Sequence, residues 1–365
     1  MSSSATIERP AVAEPKRPRR WGRRLLWLLG ICLFLELALR LFGYGAYVIY
    51  QPDERLLWVP IPGSNKVTEI NHEPENINQQ GFRYKQELTL QHPGIYRIFT
   101  FGDSVTMGWA VADDATYSAQ LEKLLNQQGC SATRFQVISA GVNAYPNSLV
   151  AERLTKVLED GYQPDAVVFA YSANTGFEGI PDLQGDARKQ FLRRVEYKSI
   201  ARRSALYNFL IEGLLRQLVY YRMRELLMLG TWNTAKSSPD LPASHFIADL
   251  QRAKEAAEAH HSQLILMLLG SKNESYPAHP YQAAMPEYAR ANNLPLVNII
   301  DLMKSQDQNA VFEDHVHPSV KGHQMIAEQL LATVRGLPSY AAACSAGANQ
   351  GSAETSPAKP ANGHP

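Results

Sequence analysis

From residue 96 onward, short hydrophobic runs rich in β-forming residues alternate with segments of helical periodicity. Five runs are typical of buried strands, at residues 96–101, 135–139, 166–170, 263–269 and 296–300. Between the first two, Tyr117, Leu121, Leu124 and Leu125 recur at helical spacing. Strands that alternate with helices in this way predict an α/β fold, in which a parallel five-stranded sheet carries helices on both faces.

The N-terminal pattern is different, because residues 25–50 form one long apolar run. Glu36 and Arg40 are the only charged residues among these 26 positions. At helical rise the run would be roughly 39 Å long, enough to cross a bilayer. Glu36 and Arg40 stand four residues apart, so each would neutralise the other on one helix face. We therefore predict a transmembrane helix over residues 25–50; a cleaved signal peptide and an amphipathic surface helix are the alternatives.

Charge around this run predicts its orientation. Residues 1–24 carry seven basic and two acidic side chains, whereas few basic residues follow residue 50. By the positive-inside rule, residues 1–24 form a basic cytoplasmic segment and the rest of the chain lies in the periplasm or outside the cell. In such an oxidising compartment Cys130 and Cys344 either pair or stay free, since two cysteines show no framework spacing.

The remaining chain divides into four parts. Residues 51–94 contain five prolines among polar residues and predict an extended lead-in to the domain at 95–337. Within that domain, residues 177–244 are too long for a plain crossover and predict a helical insertion, with leucines every four residues from Leu206. The insertion is interpreted either as a lid or membrane-facing surface, or as an ordinary amphipathic cover. Residues 338–365 are rich in Ala, Gly, Ser and Pro, and we expect a disordered tail.

Global composition excludes one class of function and predicts no bound group. The formal net charge of +1 gives no basic field for nucleic acid. His315 and His317 form a His-x-His pair, but no third ligand accompanies them, so we predict neither a metal nor a cofactor.

Chemistry-bearing residues follow the predicted strands. Ser104 comes after the first strand, Gly141 after the second and Asn174 after the third, while Asp314 and His317 precede the last helix. In an open parallel sheet, ligands bind where the carboxyl ends of the strands meet. A serine, a histidine and an aspartate are the groups that nucleophilic ester cleavage needs, because histidine must deprotonate the serine hydroxyl and be oriented by a third group.

These residues resemble the four blocks of the SGNH (GDSL-type) hydrolase family. Gly102-Asp103-Ser104 matches the first block, Gly141 the second, Asn174 the third and Asp314-x-x-His317 the last. The resemblance covers roughly residues 96–335. It implies a three-layer α/β/α fold of flavodoxin-like type and an ester hydrolase or acyltransferase. It further implies Ser104, Asp314 and His317 as the catalytic triad, with the Ser104 and Gly141 backbone amides and the Asn174 side chain forming the oxyanion hole.

Two further stretches bear on the resemblance. The third block of the family reads Gly-x-Asn-Asp, but here it is Ser172-Ala173-Asn174-Thr175, which lacks the glycine and the acid. Upstream, Asn78-Gln79-Gln80-Gly81-Phe82-Arg83 and the apolar run resemble bacterial members with one N-terminal membrane helix. After the fourth strand, Lys272, Glu274 and Tyr276 are candidates for shaping the substrate pocket, as is Asn143; solvated loops or turns are the alternative for them.

Together these observations predict a membrane-anchored serine esterase or O-acyltransferase. Its substrate would be an acyl ester, with acetyl the first expectation, on an extracytoplasmic glycan or other envelope molecule. Water or a sugar hydroxyl would receive the acyl group, and the sequence leaves that choice open. The alternatives are a catalytically weak binding module of the same fold and a lipase that draws its substrate from the membrane.

Overall fold

The computed structural model describes residues 20–45, 47–68, 71–128, 130, 133–174, 177–215, 242–273, 277 and 279–353. The strands are β1 (Tyr50–Asp53), β2 (Leu57–Pro60), β3 (Asn65–Val67), β4 (Pro74–Asn76), β5 (Ile95–Phe101), β6 (Arg134–Ser139), β7 (Ala166–Ala170), β8 (Gln263–Leu268) and β9 (Leu296–Asn298). The first α-helices are α1 (Arg20–Leu41), α2 (Ser104–Met107), α3 (Tyr117–Gln128), α4 (Asn147–Glu159), α5 (Gly185–Ala201) and α6 (Ala205–Tyr207). They are followed by α7 (Ala243–Ala259), α8 (Pro280–Ala291), α9 (Ile300–Lys304), α10 (Gln308–Val311), α11 (Val320–Arg335) and α12 (Pro338–Ala353).

The predicted parallel five-stranded sheet is confirmed, with strand order β6-β5-β7-β8-β9. Four of the strands agree with the sequence to within one residue at either end. The fifth ends earlier, at Asn298, because the Asn298 side chain accepts a hydrogen bond from the Ile300 backbone and turns the chain into α9. This order is that of the flavodoxin-like α/β proteins, in which the order of successive strands across the sheet reverses between the first and third strands, here β5 and β7.

Both faces of the sheet are covered, which gives the three layers. Successive side chains of a strand point to opposite faces, and along β5 Phe99 packs with one hydrophobic core while Ile98 packs with the other. The first core also takes residues from α4, α7 and α8, and the second from α3 and α11. All six β5 residues from Tyr96 to Phe101 are buried, so the strand that leads to Ser104 is anchored at the centre of the domain.

The lead-in consists of two small antiparallel pairs, β1 with β2 and β3 with β4. Leu57 and Trp58 of this segment are buried in the first core. The Trp58 indole nitrogen donates to the Asn143 carbonyl at 3.0 Å, and its ring meets the Tyr145 ring at a centroid distance of 5.1 Å. The lead-in is therefore packed on the loop that follows β6.

The N-terminal helix differs in its bounds from the predicted 25–50. It runs from Arg20 to Leu41, and Gly43 and Gly45 follow it with φ of 81° and 83°, a conformation that favours glycine and ends the helix. Val48 and Ile49 are 3% and 6% exposed and belong to the domain instead. Among the residues that the structure describes, no helix is long and apolar enough to cross a membrane.

Two charges of α1 contact the domain. The Glu36 carboxylate accepts hydrogen bonds from the Ser204 hydroxyl at 2.8 Å and from the Ala205 and Leu206 backbone at 3.0 and 2.8 Å. Arg40 donates to Glu36 and to the Arg203 carbonyl, at 2.8 and 2.7 Å. The ion pair expected within the helix therefore forms, and it also holds the start of α6.

The insertion is only partly described. It contains α5, α6 and a π-helical turn at Asn208–Leu215, and α7 begins at Ala243. Residues 216–241, which include most of the helix expected from Leu206 to Leu229, lie outside the described residues. Leu210 and Ile211 are 42% and 41% exposed.

The C-terminal segment corrects the expectation of a disordered tail, because residues 338–353 form α12. Alanine is the best helix former, and the segment is rich in it. Tyr340 packs its ring against those of Tyr96 and Phe135, at 6.2 and 5.7 Å. Cys344 forms a disulfide with Cys130, which answers whether the two cysteines pair. Residues 354–365 of the predicted tail lie outside the described part of the chain.

A buried histidine couples the stability of this domain to pH. His323 of α11 is 1% exposed and accepts a hydrogen bond from the Tyr117 backbone at 3.1 Å. Burial, and then the nearby charges of Arg83 and His317, lower its pKa from 6.5 to about 3. Between these values the unfolded chain binds a proton that the folded chain does not, so stability is full above pH 6.5 and falls with pH.

We expect the free energy of unfolding to fall by about 2 kcal/mol between pH 7 and pH 5 through this group. In His323→Gln that share of the pH dependence should disappear, because glutamine does not titrate. Urea unfolding at both pH values measures it. His261→Gln, which changes an exposed histidine, is the control and should keep the wild-type slope; an equal slope in His323→Gln would contradict the prediction.

Candidate active site

Ser104 is positioned by a tight turn at the end of β5. Gly102 makes the turn possible, since a Cβ there would lie 2.0 Å from the Thr106 hydroxyl oxygen. The Asp103 side chain accepts a hydrogen bond from the Val105 backbone at 2.9 Å and so caps the one-turn helix α2. Ser104 is consequently the first residue of that helix, at the carboxyl edge of the sheet.

Asp314, His317 and Ser104 form one hydrogen-bonded chain. The Asp314 carboxylate contacts His317 Nδ1 at 2.8 Å, and His317 Nε2 contacts the Ser104 hydroxyl at 2.8 Å. The other Asp314 oxygen accepts from the Val316 and His317 backbone amides, both at 2.8 Å. The Asp-x-x-His spacing thus folds into a turn that fixes the carboxylate against its own histidine. Ser104 and His317, which are 213 residues apart in sequence, therefore meet at the carboxyl edge of the sheet.

The electrostatics keep the Asp314 carboxylate ionised. Burial raises its pKa, but the His317 side chain and the His317 and Val316 backbone hydrogen bonds outweigh burial, so the pKa of Asp314 lies well below its ordinary value. An ionised Asp314 favours the His317 tautomer that donates from Nδ1 and leaves Nε2 to accept the Ser104 proton. The arrangement is therefore equipped to activate the Ser104 hydroxyl as a nucleophile.

The altered third block is held together by the residue that replaces glycine. Ser172 is fully buried, and its φ is not in the left-handed region, so the position does not need glycine's conformational freedom. Its hydroxyl lies 3.0 Å from the Asp103 carboxylate, 2.7 Å from the Tyr145 carbonyl and 3.1 Å from the Asn174 backbone amide. Thr175, the other departure from the family pattern, lies outside the described residues.

Asn174 is brought to the same place as Ser104. Its amide nitrogen is 3.0 Å from the Asp103 carboxylate, 3.1 Å from the Ser172 hydroxyl and 3.3 Å from the Tyr145 carbonyl. Asp103, which precedes the serine, is buried, and burial raises the pKa of its carboxyl group. The third block is therefore tied directly to the turn that carries Ser104.

Gly141 lies against α2, the helix that carries Ser104. A Cβ at this position would be 2.4 Å from the Met107 nitrogen, so only glycine fits. The next residue, Val142, donates its backbone N–H to the Gly102 carbonyl at 3.1 Å, which joins the second block to the first. Asn143, also considered from the sequence, uses its carbonyl to bind Trp58 of the lead-in.

Trp109 also lies in the site, although the sequence patterns did not single it out. The Trp109 ring lies 4.5 Å from the His317 ring, at an interplanar angle of 47°. The signal available was its position five residues after Ser104, just past the end of α2. An aromatic ring against the imidazole limits how that ring can turn and supplies an apolar wall beside Ser104.

The pocket-shaping candidates after β8 are placed only in part. Lys272 donates its backbone N–H to the His315 carbonyl at 2.8 Å, so it supports the loop that carries His317. Glu274 and Tyr276 lie outside the described residues. His315 itself is exposed, whereas its neighbour His317 is engaged with Asp314 and Ser104.

Comparison with known families decides the class. A sequence model of the GDSL-like lipase/acylhydrolase family matches residues 100–325, more than half of the 365-residue chain. The chain belongs to the GDSL-like lipase/acylhydrolase family. The resemblance to this family that the sequence motifs indicated is confirmed, and the chain is an ester-hydrolysing enzyme. The matched region starts at the end of β5, so the lead-in and α1 lie upstream of it.

Several solved structures resemble this GDSL-like hydrolase at low identity. The psychrotrophic esterase EstA from Pseudoalteromonas sp. is 13% identical, with a TM-score of 0.42 over 66% of this chain and 97% of that one. A mutant of Axe2, an acetyl-xylooligosaccharide esterase from Geobacillus Stearmophilus, is 17% identical, with a TM-score of 0.39 over 65% and 93%. A GDSL-like lipase from Bacteroides thetaiotaomicron is 13% identical, with a TM-score of 0.40 over 67% and 91%. None of the curated proteins matches the sequence.

Proposed function

We propose that this GDSL-like hydrolase cleaves acyl esters with Ser104 as nucleophile, His317 as general base and acid, and Asp314 as the group that orients His317. The observation that carries the proposal is the continuous chain of two 2.8 Å contacts from Asp314 through His317 to the Ser104 hydroxyl. Nucleophile and base within hydrogen-bond distance, with the base oriented by a third group, is the arrangement that serine acyl transfer requires.

The mechanism proceeds in two halves. In the first, Ser104 Oγ attacks the ester carbonyl while its proton passes to His317 Nε2; His317 then gives that proton to the leaving alkoxide as the C–O bond breaks. Asp314 stabilises the imidazolium that forms between these steps. In the second half, a water molecule gives a proton to His317 Nε2 and attacks the acyl carbonyl. His317 then returns that proton to Ser104 Oγ as the bond between Oγ and the acyl carbon breaks, which releases the acid and restores the Ser104 hydroxyl.

The oxyanion of each tetrahedral intermediate needs donors, and we assign the Ser104 and Gly141 backbone amides and the Asn174 side chain. In the free chain the Asn174 amide nitrogen has three acceptors around it. With only two hydrogens to share, it would keep the 3.0 Å contact to Asp103 and exchange the longest contact, to the Tyr145 carbonyl, for the oxyanion. Asp103 would then act as the fixed support of this donor.

Asn174→Ala is expected to lower kcat about 10²- to 10³-fold with little change in KM, because an oxyanion-hole donor acts mainly in the transition state. Steady-state kinetics on an aryl acetate measure this. Asn174→Asp keeps the side-chain shape but replaces the donor with a carboxylate, and it should lose at least as much. Wild-type kcat in a folded Asn174→Ala protein would remove Asn174 from the oxyanion hole.

For the substrate, we favour small acyl groups, acetyl first, on a glycan or other envelope molecule. The Trp109 ring lies 4.5 Å from the His317 ring, and we infer that it narrows the acyl site to short groups and offers an aromatic face to a sugar ring. The same acyl-enzyme would serve an O-acyltransferase if a sugar hydroxyl replaced water as the acceptor. Product analysis separates the two: free acetate indicates hydrolysis, and an acetylated glycan indicates transfer.

For the location, we favour attachment to a membrane through α1, with the catalytic domain outside the cytoplasm. Trp27, Leu33 and Leu41 of α1 are 73%, 72% and 81% exposed, and exposed apolar residues of this density suit a lipid environment better than water. The Cys130–Cys344 disulfide supports an oxidising compartment. A reporter that is active only outside the cytoplasm, fused to the C-terminus, tests this orientation; activity in the cytoplasm would exclude it.

A lipase is the second candidate. Leu210 and Ile211 are exposed in the π-helical turn that follows α6, and α1 contacts α6 through Glu36. Acyl chain length distinguishes it from the first. A short-chain esterase should show a falling kcat/KM from acetyl to octanoyl aryl esters, and a lipase a rising one.

A fluorophosphonate probe tests the central proposal on the full chain in detergent. It should label one serine, identified by peptide mass as Ser104, and Ser104→Ala should remove both the label and aryl-ester hydrolysis. A folded wild-type protein without label at Ser104 would favour the third possibility, a binding module of the same fold, and would overturn the catalytic assignment.

A further inference from the structure

The helix that carries Ser104 is too short to be stable by itself. It has a single turn, Ser104–Met107, and a helix of this length has more backbone groups without helical partners than with them. Asp103 caps its beginning. The carbonyl groups at its end must be satisfied from elsewhere, and the residue that does this comes from the lead-in.

The Arg83 guanidinium binds the end of this helix. One terminal nitrogen donates to the Met107 and Gly108 carbonyls, at 2.7 and 2.6 Å. The other terminal nitrogen donates to the Val111 and Pro74 carbonyls, both at 2.8 Å. A fixed cation at the C-terminal end of a helix also complements the helix dipole. Four carbonyl groups around the nucleophile helix thus converge on one side chain.

The Gly108–Trp109 peptide unit connects Arg83 to the catalytic groups. Its carbonyl accepts from Arg83, while its N–H donates to the Ser104 carbonyl at 3.1 Å. The Trp109 ring then lies against His317. Holding this peptide plane at both ends fixes the backbone of Ser104 and the ring that packs against its base.

Arg83 is itself held rigidly. Its side chain is 2% exposed, and its remaining donor, Nε, contacts the Asp113 carboxylate at 2.8 Å. Asp113 also accepts from the Asn76 backbone and side chain, at 3.1 and 2.5 Å. Gly108 leaves room for the guanidinium, because a Cβ at position 108 would be 3.0 Å from Arg83 Nη1.

The turn before Arg83 determines where the Arg83 side chain lies. The Asn78 side chain accepts from the Gln80 and Phe82 backbone amides, at 3.1 and 3.0 Å, and Gly81 has a φ of 78°. The Arg83 backbone then donates to the Ser139 carbonyl of β6 at 3.0 Å. The stretch from Asn78 to Arg83 therefore forms a turn that fixes the position of the Arg83 guanidinium.

We propose that Arg83 is a positioning residue for the nucleophile, so the lead-in, which lies upstream of the family match at 100–325, is part of the catalytic unit. The proposal rests on the assignment of Ser104 as nucleophile. Loss of Arg83 would leave the end of α2 and the Gly108–Trp109 peptide free to shift. A shift of about 1 Å in a reacting group is enough to lower a rate about 10²-fold.

Arg83→Lys and Arg83→Met are the test variants, studied as the full chain. Lysine keeps the charge but cannot span four carbonyls, so kcat for aryl acetate and the rate constant of fluorophosphonate labelling should both fall about 10- to 100-fold, with KM within about twofold. Methionine should lose more. Wild-type kcat in a folded Arg83→Lys protein would overturn the proposal.

Arg97→Met is the matched control. Arg97 is also a buried arginine, and it binds the Gln136 side chain and the Thr89 carbonyl, away from α2. It should lower the thermal midpoint while leaving kcat within about twofold at a temperature where all variants are folded. An equal loss of kcat in Arg97→Met at equal loss of stability would show that Arg83 acts on stability alone.

If Arg83→Met does not fold, Asp113→Asn tests the proposal instead. This variant weakens the contact that holds the Arg83 Nε and keeps Arg83 itself. We expect a loss of about 3- to 10-fold in kcat and in labelling rate, with KM unchanged; no change would contradict the proposal. Failure of the underlying function is distinguishable, since the wild-type protein would then take up no label at Ser104 even with Arg83 present.

Discussion

Replacing His317 with alanine should lower kcat for ester hydrolysis about 10⁴- to 10⁶-fold, the largest effect expected of any single substitution in this chain. In the described part of the chain, the His317 imidazole is the base hydrogen-bonded to the Ser104 hydroxyl, so its loss leaves that proton without an acceptor there. Ser104→Ala should cost a similar factor, and the double variant should be within about tenfold of either single variant, because the two residues act as one unit. Single-turnover and steady-state kinetics on an aryl acetate measure these factors.

His315→Ala is the matched control for this series. It removes an exposed imidazole two residues away and leaves the backbone carbonyl that binds Lys272. Its kcat should stay within about twofold of the wild type. Additive losses in the Ser104→Ala, His317→Ala double variant would contradict the hydrogen-bonded triad, since independent groups lose their contributions separately.

Breaking the Cys130–Cys344 disulfide should lower the free energy of unfolding by about 3–5 kcal/mol. The bridge closes a loop with a sequence separation of 214 residues, and the chain entropy that it removes from the unfolded state grows with loop length. It also fastens α12 to the segment before β6. Thermal or urea unfolding of Cys130→Ser/Cys344→Ser against the oxidised wild type measures the difference.

Two controls make that result specific. Reductant should destabilise the wild type by about the same amount and leave the double variant unchanged. Cys32→Ser, which changes the third cysteine, should unfold like the wild type under oxidising conditions. Equal stability of oxidised wild type and double variant would show that α12 is held by its ring contacts without help from the bridge.

The sheet and the positions of the site residues were predictable because both follow from local chemistry. Strands such as residues 96–101 consist almost entirely of β-forming residues that become buried. The glycine and aspartate before Ser104 are residues that favour turns, and they form the turn after β5. Parallel strands carry their ligands at one edge, so Ser104, Asn174 and His317 were expected to meet. The structure brings them together through Asp103, Ser172 and Asp314.

Other features depend on contacts between distant segments, which a local pattern does not contain. The third block departs from the family pattern in sequence, but the Ser172 hydroxyl binds the Asp103 carboxylate and the Tyr145 carbonyl, which only the folded chain brings near. Arg83 was one polar residue in a lead-in, and its four carbonyl partners become visible only when α2 is placed. The tail was expected to be disordered from its composition, whereas Tyr340 and Cys344 dock α12 on β5 and β6.

The hydrogen bonds from Glu36 and Arg40 to the start of α6 bear on how far this enzyme can reach. Five residues, 42–46, separate α1 from the first buried residue of the domain. A flexible tether of that length would span about 12 Å, and the Glu36 contacts restrict it further. If α1 lies in a membrane, the short connection keeps the catalytic domain close to the lipid surface. Its substrates would have to be esters that come to within a fixed working distance of the lipid surface.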